Sequence, residues 1–248
     1  MANIDKEKLY TIRWHVNKLI PDGEDKSEIL RLLSDLLGEK EKAPTNERET
    51  LDPDDKKKIK LAIIVGHEKR AGGADFAISS AYKDEYSYNT AIANLCNTFI
   101  SSGAYSNIQL KIIFRDGIGI SGAYNVAKEW GCDCCIELHY NAYNTKASGS
   151  ETLTTVDAQD KLFAQIIHNE ICLALSRGGQ SRGLKILSRG DRGGGNIYAM
   201  PGSANCLVEP FFGDNPTEAK LALDRMDQYA KCLLDGCVKW AKSQSILT

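Results

Sequence analysis

The chain has 248 residues, enough for one domain of ordinary size with a small addition, and 42% hydrophobic with 26% charged residues is a globular composition. A net charge of −2 and a pI of about 6.1 exclude a general nucleic-acid binder, which needs a basic surface to meet phosphates. No segment approaches the roughly 18 apolar residues of a membrane span, so membrane insertion is not expected. The charged N-terminus has no apolar signal core, so we expect synthesis in the cytoplasm.

Residues 1–58 are predicted to form a small N-terminal helical segment and a linker. Two helical patterns, at 5–20 and 26–38, are separated by a turn at Pro21-Asp22-Gly23, and a charged stretch follows. Leucines form one apolar stripe on the second helix. Because such a stripe needs a covering surface, we expect this segment either to dock on the rest of the chain or to bind an unknown partner.

Residues 59–248 are predicted to form a second domain, in which short apolar runs alternate with longer amphipathic ones. The predicted strands are 59–65, 108–114, 134–139, 150–155, 184–187 and 205–209. The predicted helices are 86–102, 119–130, 158–176 and 216–243. This alternation predicts a three-layer α/β fold, in which a largely parallel, twisted sheet carries helices on both faces. The first and third strands are apolar on both faces, as central strands require.

Eight cysteines occur, and Cys132 and Cys135 have a CxxC spacing. A cysteine zinc site would need a second pair at matching spacing, which the sequence does not offer. The cysteines are therefore interpreted as small buried side chains in a reducing compartment.

Two of the four histidines directly follow the two central strands. His67 comes after the first of them and His139 after the other. Ligands bind at the carboxyl ends of the strands in open α/β sheets, so both side chains are predicted to share one crevice. The other two, His15 and His168, lie in helical patterns and are interpreted as structural or exposed.

Two carboxylates complete a candidate metal site. Glu85 stands just before a predicted helix, where it could cap that helix or serve as the third ligand of a catalytic zinc ion beside His67 and His139. Asp84 is the rival ligand. Glu209 ends an apolar strand, a position that packing explains poorly, and suits a general base beside the metal.

Four segments together resemble the zinc-dependent N-acetylmuramoyl-L-alanine amidases of the Amidase_3 family, which includes phage endolysins and bacterial autolysins. The resemblance covers residues 59 to about 243, with the motifs in the family's order. The four segments are Ile64–His67 with Gly73-Ala74, Glu85–Asn89, Ile136–Ala142 with Gly149–Leu153, and Leu207–Asn215 with Glu218.

The resemblance implies a site and a reaction. His67, Glu85 and His139 would hold Zn²⁺, and Glu209 would be the catalytic acid/base. The substrate would be peptidoglycan, hydrolysed at the amide between the lactyl group of N-acetylmuramic acid and L-alanine. Glu151, in the strand after the histidine motif, is expected to support the site or pair within the sheet.

Further residues are expected to bind substrate, and others depart from the family pattern. Asn141 is a predicted substrate-binding residue. Arg189 and Arg192 belong to a glycine-rich run at 189–196, predicted to be a mobile loop; they would either meet stem-peptide carboxylates or face solvent. Glu68 stands where many relatives have glycine.

Two alternative functions are considered. Another zinc peptidase or amidohydrolase is one; a metallocarboxypeptidase would need His and Glu three residues apart, and Arg70 stands three after His67. A non-catalytic peptidoglycan-binding module is the other, which would have no need of Glu209. The absence of a signal peptide and of wall-binding repeats favours a phage-type lysin, released by a separate pore, over a secreted bacterial autolysin.

Overall fold

The computed structural model describes residues 58–175 and 180–247, together with Ile29 and Leu32. The predicted N-terminal helices at 5–20 and 26–38 and the linker therefore lie outside the described residues, apart from those two positions. His15 lies outside them as well. The domain boundary at residue 58 stays a prediction.

A six-stranded sheet forms the centre of the described chain, with strand order β2-β1-β3-β6-β4-β5. The strands are β1 (Ile59–Val65), β2 (Ile108–Phe114), β3 (Cys134–Leu138), β4 (Ser150–Thr154), β5 (Ser181–Ile186) and β6 (Ala204–Glu209). Five strands were predicted within one or two residues of these bounds; β5 begins three residues earlier than expected. The predicted α/β class and the largely parallel sheet are confirmed.

One strand pair is antiparallel, which the sequence pattern does not predict. β4 pairs antiparallel with β6 and parallel with β5. The segment from His139 to Gly149, which joins β3 to β4, contains no helix. A return to the same sheet edge in the parallel sense needs a crossover, usually a helix, so β4 enters the sheet in the opposite direction.

Helices cover both faces of the sheet. They are α1 (Glu85–Ser101), α2 (Gly119–Trp130), α3 (Ala158–Ala174), α4 (Gly194–Ile197), α5 (Pro216–Asp224) and α6 (Met226–Ser243). Helices α1, α3, α5 and α6 pack on one face, and α2 and α4 on the other. Strand β1 serves both cores, because Leu61, Ile63 and Val65 face the first layer while Ala62 and Ile64 face the second.

The prediction of a single helix over 216–243 is wrong in one respect, because two helices occupy these residues. Arg225 separates α5 from α6 with φ −126°, and its Nη1 donates to the carbonyl oxygen of Ala174, 2.9 Å away, at the end of α3. Helical periodicity continues through the break, so the pattern alone does not reveal it. None of the helices in the described ranges is both long and apolar enough to cross a bilayer.

His168 is a structural residue, as interpreted from the sequence. It is buried in α3, with Nδ1 3.1 Å from Thr152 Oγ1 and Nε2 2.8 Å from Ser181 Oγ. Burial lowers the pKa of His168 below its ordinary value of about 6.5. The ring therefore joins α3 to β4 and β5 in its neutral form.

Replacing His168 by glutamine is expected to change how stability depends on pH. The unfolded chain binds a proton at His168 more readily than the folded chain, so the free energy of unfolding falls as pH drops below about 6.5. Urea unfolding of both proteins from pH 7.5 to 5.5 should show the advantage of the wild type shrinking toward low pH. A constant difference across this range would contradict the assignment.

Candidate metal centre

The carboxyl ends of three adjacent parallel strands place the predicted residues side by side. Val65, Leu138 and Val208 are register partners across β1, β3 and β6. The residues that follow these three partners are Gly66, His139 and Glu209, in the same order. His67 follows Gly66. The predicted crevice at this sheet edge is where the structure brings these residues together.

His67, Glu85 and His139 form a compact cluster, because one ligand atom from each lies within 4.8 Å of the others. Glu85 lies between the two rings, with Oε2 3.1 Å from His67 Nε2 and Oε1 2.7 Å from His139 Nδ1. The ring centroids are 4.9 Å apart. Two imidazoles and a carboxylate are a donor set suited to a zinc ion with an open position.

The local sequence explains why Glu85 points into the cluster while Asp84 does not. Asp84 caps α1, since its Oδ1 accepts from the Ser87 backbone N–H at 2.9 Å and the Ser87 hydroxyl completes a capping box. Glu85 is the first residue of the helix, and its carboxylate also accepts from the backbone N–H of Tyr140. The sequence left open whether Asp84 or Glu85 joins the histidines. In the structure Asp84 is the helix cap and Glu85 lies with the histidines.

The Glu85 side chain is ionised over a wide pH range. Burial by itself raises its pKa, but hydrogen bonds with His139 and His67, and the charges on those rings, outweigh burial and hold the pKa at about 2. A buried carboxylate that stays charged is a ready ligand for a cation.

Backbone geometry around the cluster depends on two glycines. A Cβ on Gly66 would collide with the Leu138 carbonyl oxygen and lie 2.6 Å from His139 Cε1. Gly73 has φ +82°, and a Cβ there would lie 2.6 Å from His67 Cδ2. His67 itself has φ +65°, an uncommon value for a residue with a side chain, which is consistent with a functional constraint.

Glu209 lies beside His139 on the neighbouring strand. The residue is half-buried, yet among the described residues its Oε2 is sealed from solvent and has no hydrogen-bond partner. Burial raises the pKa of Glu209 to about 8; the charge of His139 lowers it, and those of Glu85 and Glu151 raise it. A carboxyl whose pKa lies near neutrality can both take up and release a proton, as a general acid/base requires.

The remaining predicted residues lie around this centre in different settings. Asn141 donates from Nδ2 to Glu151 Oε1 at 3.1 Å, and Glu151 also accepts from Arg182 Nε at 3.0 Å. Glu151 is the register partner of Glu209 across β4 and β6, which agrees with its expected role in sheet pairing.

The two loop arginines are exposed. The Arg189 guanidinium lies over the Tyr198 ring, 4.5 Å from its centroid, and Arg192 faces solvent. Helix α4 begins within their glycine-rich run, at Gly194. Substrate binding by Asn141, Arg189 and Arg192, and mobility of the loop, stay predictions.

Sequence reasoning assigned no role at the site to two residues that contact the cluster or its support. Glu137 is fully buried two positions before His139, with Oε1 3.0 Å from His139 Nε2. Asn89, also fully buried, donates from Nδ2 to the Leu138 carbonyl oxygen at 3.1 Å, where β3 ends. A charged residue inside an otherwise apolar strand was the available signal for Glu137.

Comparison with known proteins agrees with this geometry. The family model for N-acetylmuramoyl-L-alanine amidase (Amidase_3) matches residues 61–239. A search of curated protein sequences found no significant match.

Solved structures share the fold. The catalytic domain of CwlV, an N-acetylmuramoyl-L-alanine amidase from Bacillus (Paenibacillus) polymyxa, has a TM-score of 0.62 and 21% identity, covering 74% of this chain and 98% of that one. An N-acetylmuramoyl-L-alanine amidase from Clostridium difficile 630 has a TM-score of 0.62 and 21% identity over 75% and 98%. The catalytic domain of the CD27L endolysin, which targets Clostridia difficile, has a TM-score of 0.58 and 24% identity over 73% and 97%.

The family model spans most of the chain, and the fold is that of solved amidases. The chain therefore belongs to the Amidase_3 family of N-acetylmuramoyl-L-alanine amidases and is a peptidoglycan amidase.

Proposed function

We propose that the chain is a zinc-dependent amidase that cleaves the bond between N-acetylmuramic acid and L-alanine, with His67, Glu85 and His139 as zinc ligands and Glu209 as general acid/base. The observation that carries this proposal is the three-residue cluster with Glu209 in register beside His139. The donor set suits zinc. The buried Glu209 Oε2, which has no hydrogen-bond partner among the described residues, suits a carboxyl group that takes up a proton.

The side chains divide the work of hydrolysis. Zinc bound in such a site supplies Lewis-acid polarisation of a carbonyl and lowers the pKa of water to about 7. Glu209 takes the proton of the attacking water and returns it to the nitrogen of L-alanine as the amide bond breaks. The products are the lactyl carboxylate on the sugar and a stem peptide with a free amine.

Mass spectrometry of digested peptidoglycan tests the bond that is cut. We expect stem peptides with a free L-alanine amine and glycan strands whose reducing ends do not increase. Free amines on another residue would indicate a different zinc peptidase, and new reducing ends a glycosidase. Binding to peptidoglycan without any released fragment would indicate a non-catalytic module.

We also propose a lysin role, in which the chain is made in the cytoplasm and reaches the cell wall after release. All eight cysteines lie within the described residues and form no disulfide there, which suits folding in a reducing compartment. One solved structure of the same fold is an endolysin domain. Cells that express the chain should keep their turbidity until the membrane is permeabilised and then clear. Clearing without permeabilisation would contradict this role.

Replacing Gly73 by alanine is expected to weaken zinc binding about tenfold or more, because the new Cβ would press on His67 and lie 2.7 Å from Glu85 Oε2. Gly103 is a matched control, since it has φ +85° and no atom lies within 4 Å of the position that a Cβ would take there. Both alanine variants should lose about 1–2 kcal/mol of stability from the positive φ. Chelator competition should show weaker zinc binding in Gly73→Ala alone; equal affinities in the two variants would refute the steric argument.

A further inference from the structure

Glu137 is a buried carboxylate that contacts His139 from beneath the metal centre. It lies in β3 on the face covered by α2 and is fully buried. Its Oε1 forms an ion pair with the Arg115 guanidinium and lies 3.0 Å from His139 Nε2. Its Oε2 accepts from the Tyr124 hydroxyl at 2.5 Å. Both carboxylate oxygens are thus engaged.

Burying this ion pair in the core costs desolvation free energy. The surrounding positions on this face, among them Ile64, Cys135 and Ala123, are apolar and buried. Arg115 follows the end of β2 and is itself only 8% exposed, and its Nε has no partner within the described ranges. A buried ion pair is often no more stabilising than apolar side chains of similar volume. Packing therefore does not account for Glu137, whereas its contact with His139 does offer a reason.

The two carboxylates around His139 decide where its proton lies. Nδ1 is 2.7 Å from Glu85 Oε1, and Nε2 is 3.0 Å from Glu137 Oε1. A neutral imidazole has one N–H, and an ionised carboxylate only accepts. With a cation bound at Nδ1, beside Glu85, the single N–H of a neutral ring would lie on Nε2 and donate to Glu137.

We propose that Glu137 is a positioning residue, which holds His139 in the Nε2–H form so that Nδ1 is offered as the ligand atom, with Arg115 and Tyr124 fixing Glu137 in turn. This inference rests on the proposed zinc function. Partners of this kind orient metal-binding histidines and set which ring nitrogen is free.

Two variants separate positioning from a merely structural role. In Glu137→Gln, the amide oxygen takes the place of Oε1 beside Arg115 and His139 Nε2, so His139 keeps an acceptor and the NH₂ group meets the Tyr124 hydroxyl. In the double variant Arg115→Met/Glu137→Met, both charges are replaced by apolar side chains, so the core stays packed while His139 loses its acceptor. Glu170→Gln is the matched control, because Glu170 pairs with Lys239 between α3 and α6, away from the cluster.

Two measurements test the proposal on the full chain. Nitrogen-15 spectra of the histidine rings in metal-free protein at about pH 9, where free imidazoles are neutral, report the tautomer. We expect a larger fraction of the Nε2–H form in the wild type and in Glu137→Gln than in the double variant, in which Glu85 is the carboxylate still facing His139. Chelator competition should show zinc affinity reduced about 10–100-fold in the double variant, reduced less in Glu137→Gln, which keeps the acceptor oxygen, and unchanged in Glu170→Gln.

The same tautomer populations in the wild type and the double variant, or zinc affinity of a folded double variant within about twofold of the wild type, would overturn the proposal. The thermal midpoint of each metal-free variant reports whether it is folded. If the wild type binds no zinc, the proposed function fails, and the tautomer comparison still decides the role of Glu137.

Discussion

Replacing Glu209 by glutamine is expected to slow release of stem peptides by about 10²–10⁴-fold, with zinc still bound. The amide has nearly the shape of the carboxylate but cannot take up the proton of the attacking water. His67, Glu85 and His139 are unchanged, so the ligand cluster remains intact. Turnover on purified peptidoglycan, together with the zinc content by elemental analysis, measures both parts of the prediction.

The stability of Glu209→Gln provides the control for folding. Burial raises the pKa of Glu209 to about 8, so in the metal-free protein the folded chain holds this proton more tightly than the unfolded chain. Its contribution to the free energy of unfolding is therefore present at low pH and is lost as pH rises toward 8. A glutamine avoids this loss, so the metal-free variant should be at least as stable as the wild type at pH 7. Wild-type turnover in the variant would exclude Glu209 as the acid/base.

Replacing Glu85 by glutamine is expected to abolish activity and to weaken zinc binding by on the order of 10²-fold or more. This loss is larger than that from removing a residue that only supports a ligand, because Glu85 is itself a proposed ligand. The carboxylate carries the negative charge of the cluster and lies against both histidines. Zinc affinity by chelator competition, and the activity recovered when zinc is added back after chelation, check this result. Unchanged activity in excess chelator would exclude a catalytic role for the metal.

Asp84→Ala is the matched variant for Glu85→Gln, because the two residues are neighbours with different roles. Loss of the Asp84 cap on α1 should cost about 1 kcal/mol of stability. Zinc affinity should stay close to that of the wild type. If Asp84→Ala lost zinc and Glu85→Gln kept it, the ligand assignment would have to be exchanged.

Arg115 and Glu137 add a second layer to this site. The cluster of His67, Glu85 and His139 is held at two strand ends and one helix start, and the ion pair beneath it links β2 to β3 across β1. A catalytic site that depends on sub-ångström placement needs such support from rigid elements. The proposed tautomer control of His139 is one form of that support.

Local sequence patterns were sufficient for the fold class, most strand bounds and the shared location of His67 and His139. Apolar runs on both faces mark β1 and β3 as central, and a parallel sheet brings their carboxyl ends to one edge. Glu209 was identified for a similar reason, because a carboxylate at the end of an apolar strand is poorly explained by packing.

Features that depend on distant residues emerged only in the folded chain. The sequence left Asp84 and Glu85 as rival ligands, and the approach of His139, 54 residues along the chain, completes the cluster around Glu85. The break at Arg225 and the antiparallel direction of β4 depend likewise on contacts with other elements. The charge of Glu137 was visible in the sequence, but its partners Arg115 and Tyr124 became neighbours only when β2 and α2 packed against β1 and β3. Local periodicity records which face of an element is buried, whereas the direction of a charged side chain is fixed by the partners that folding brings to it.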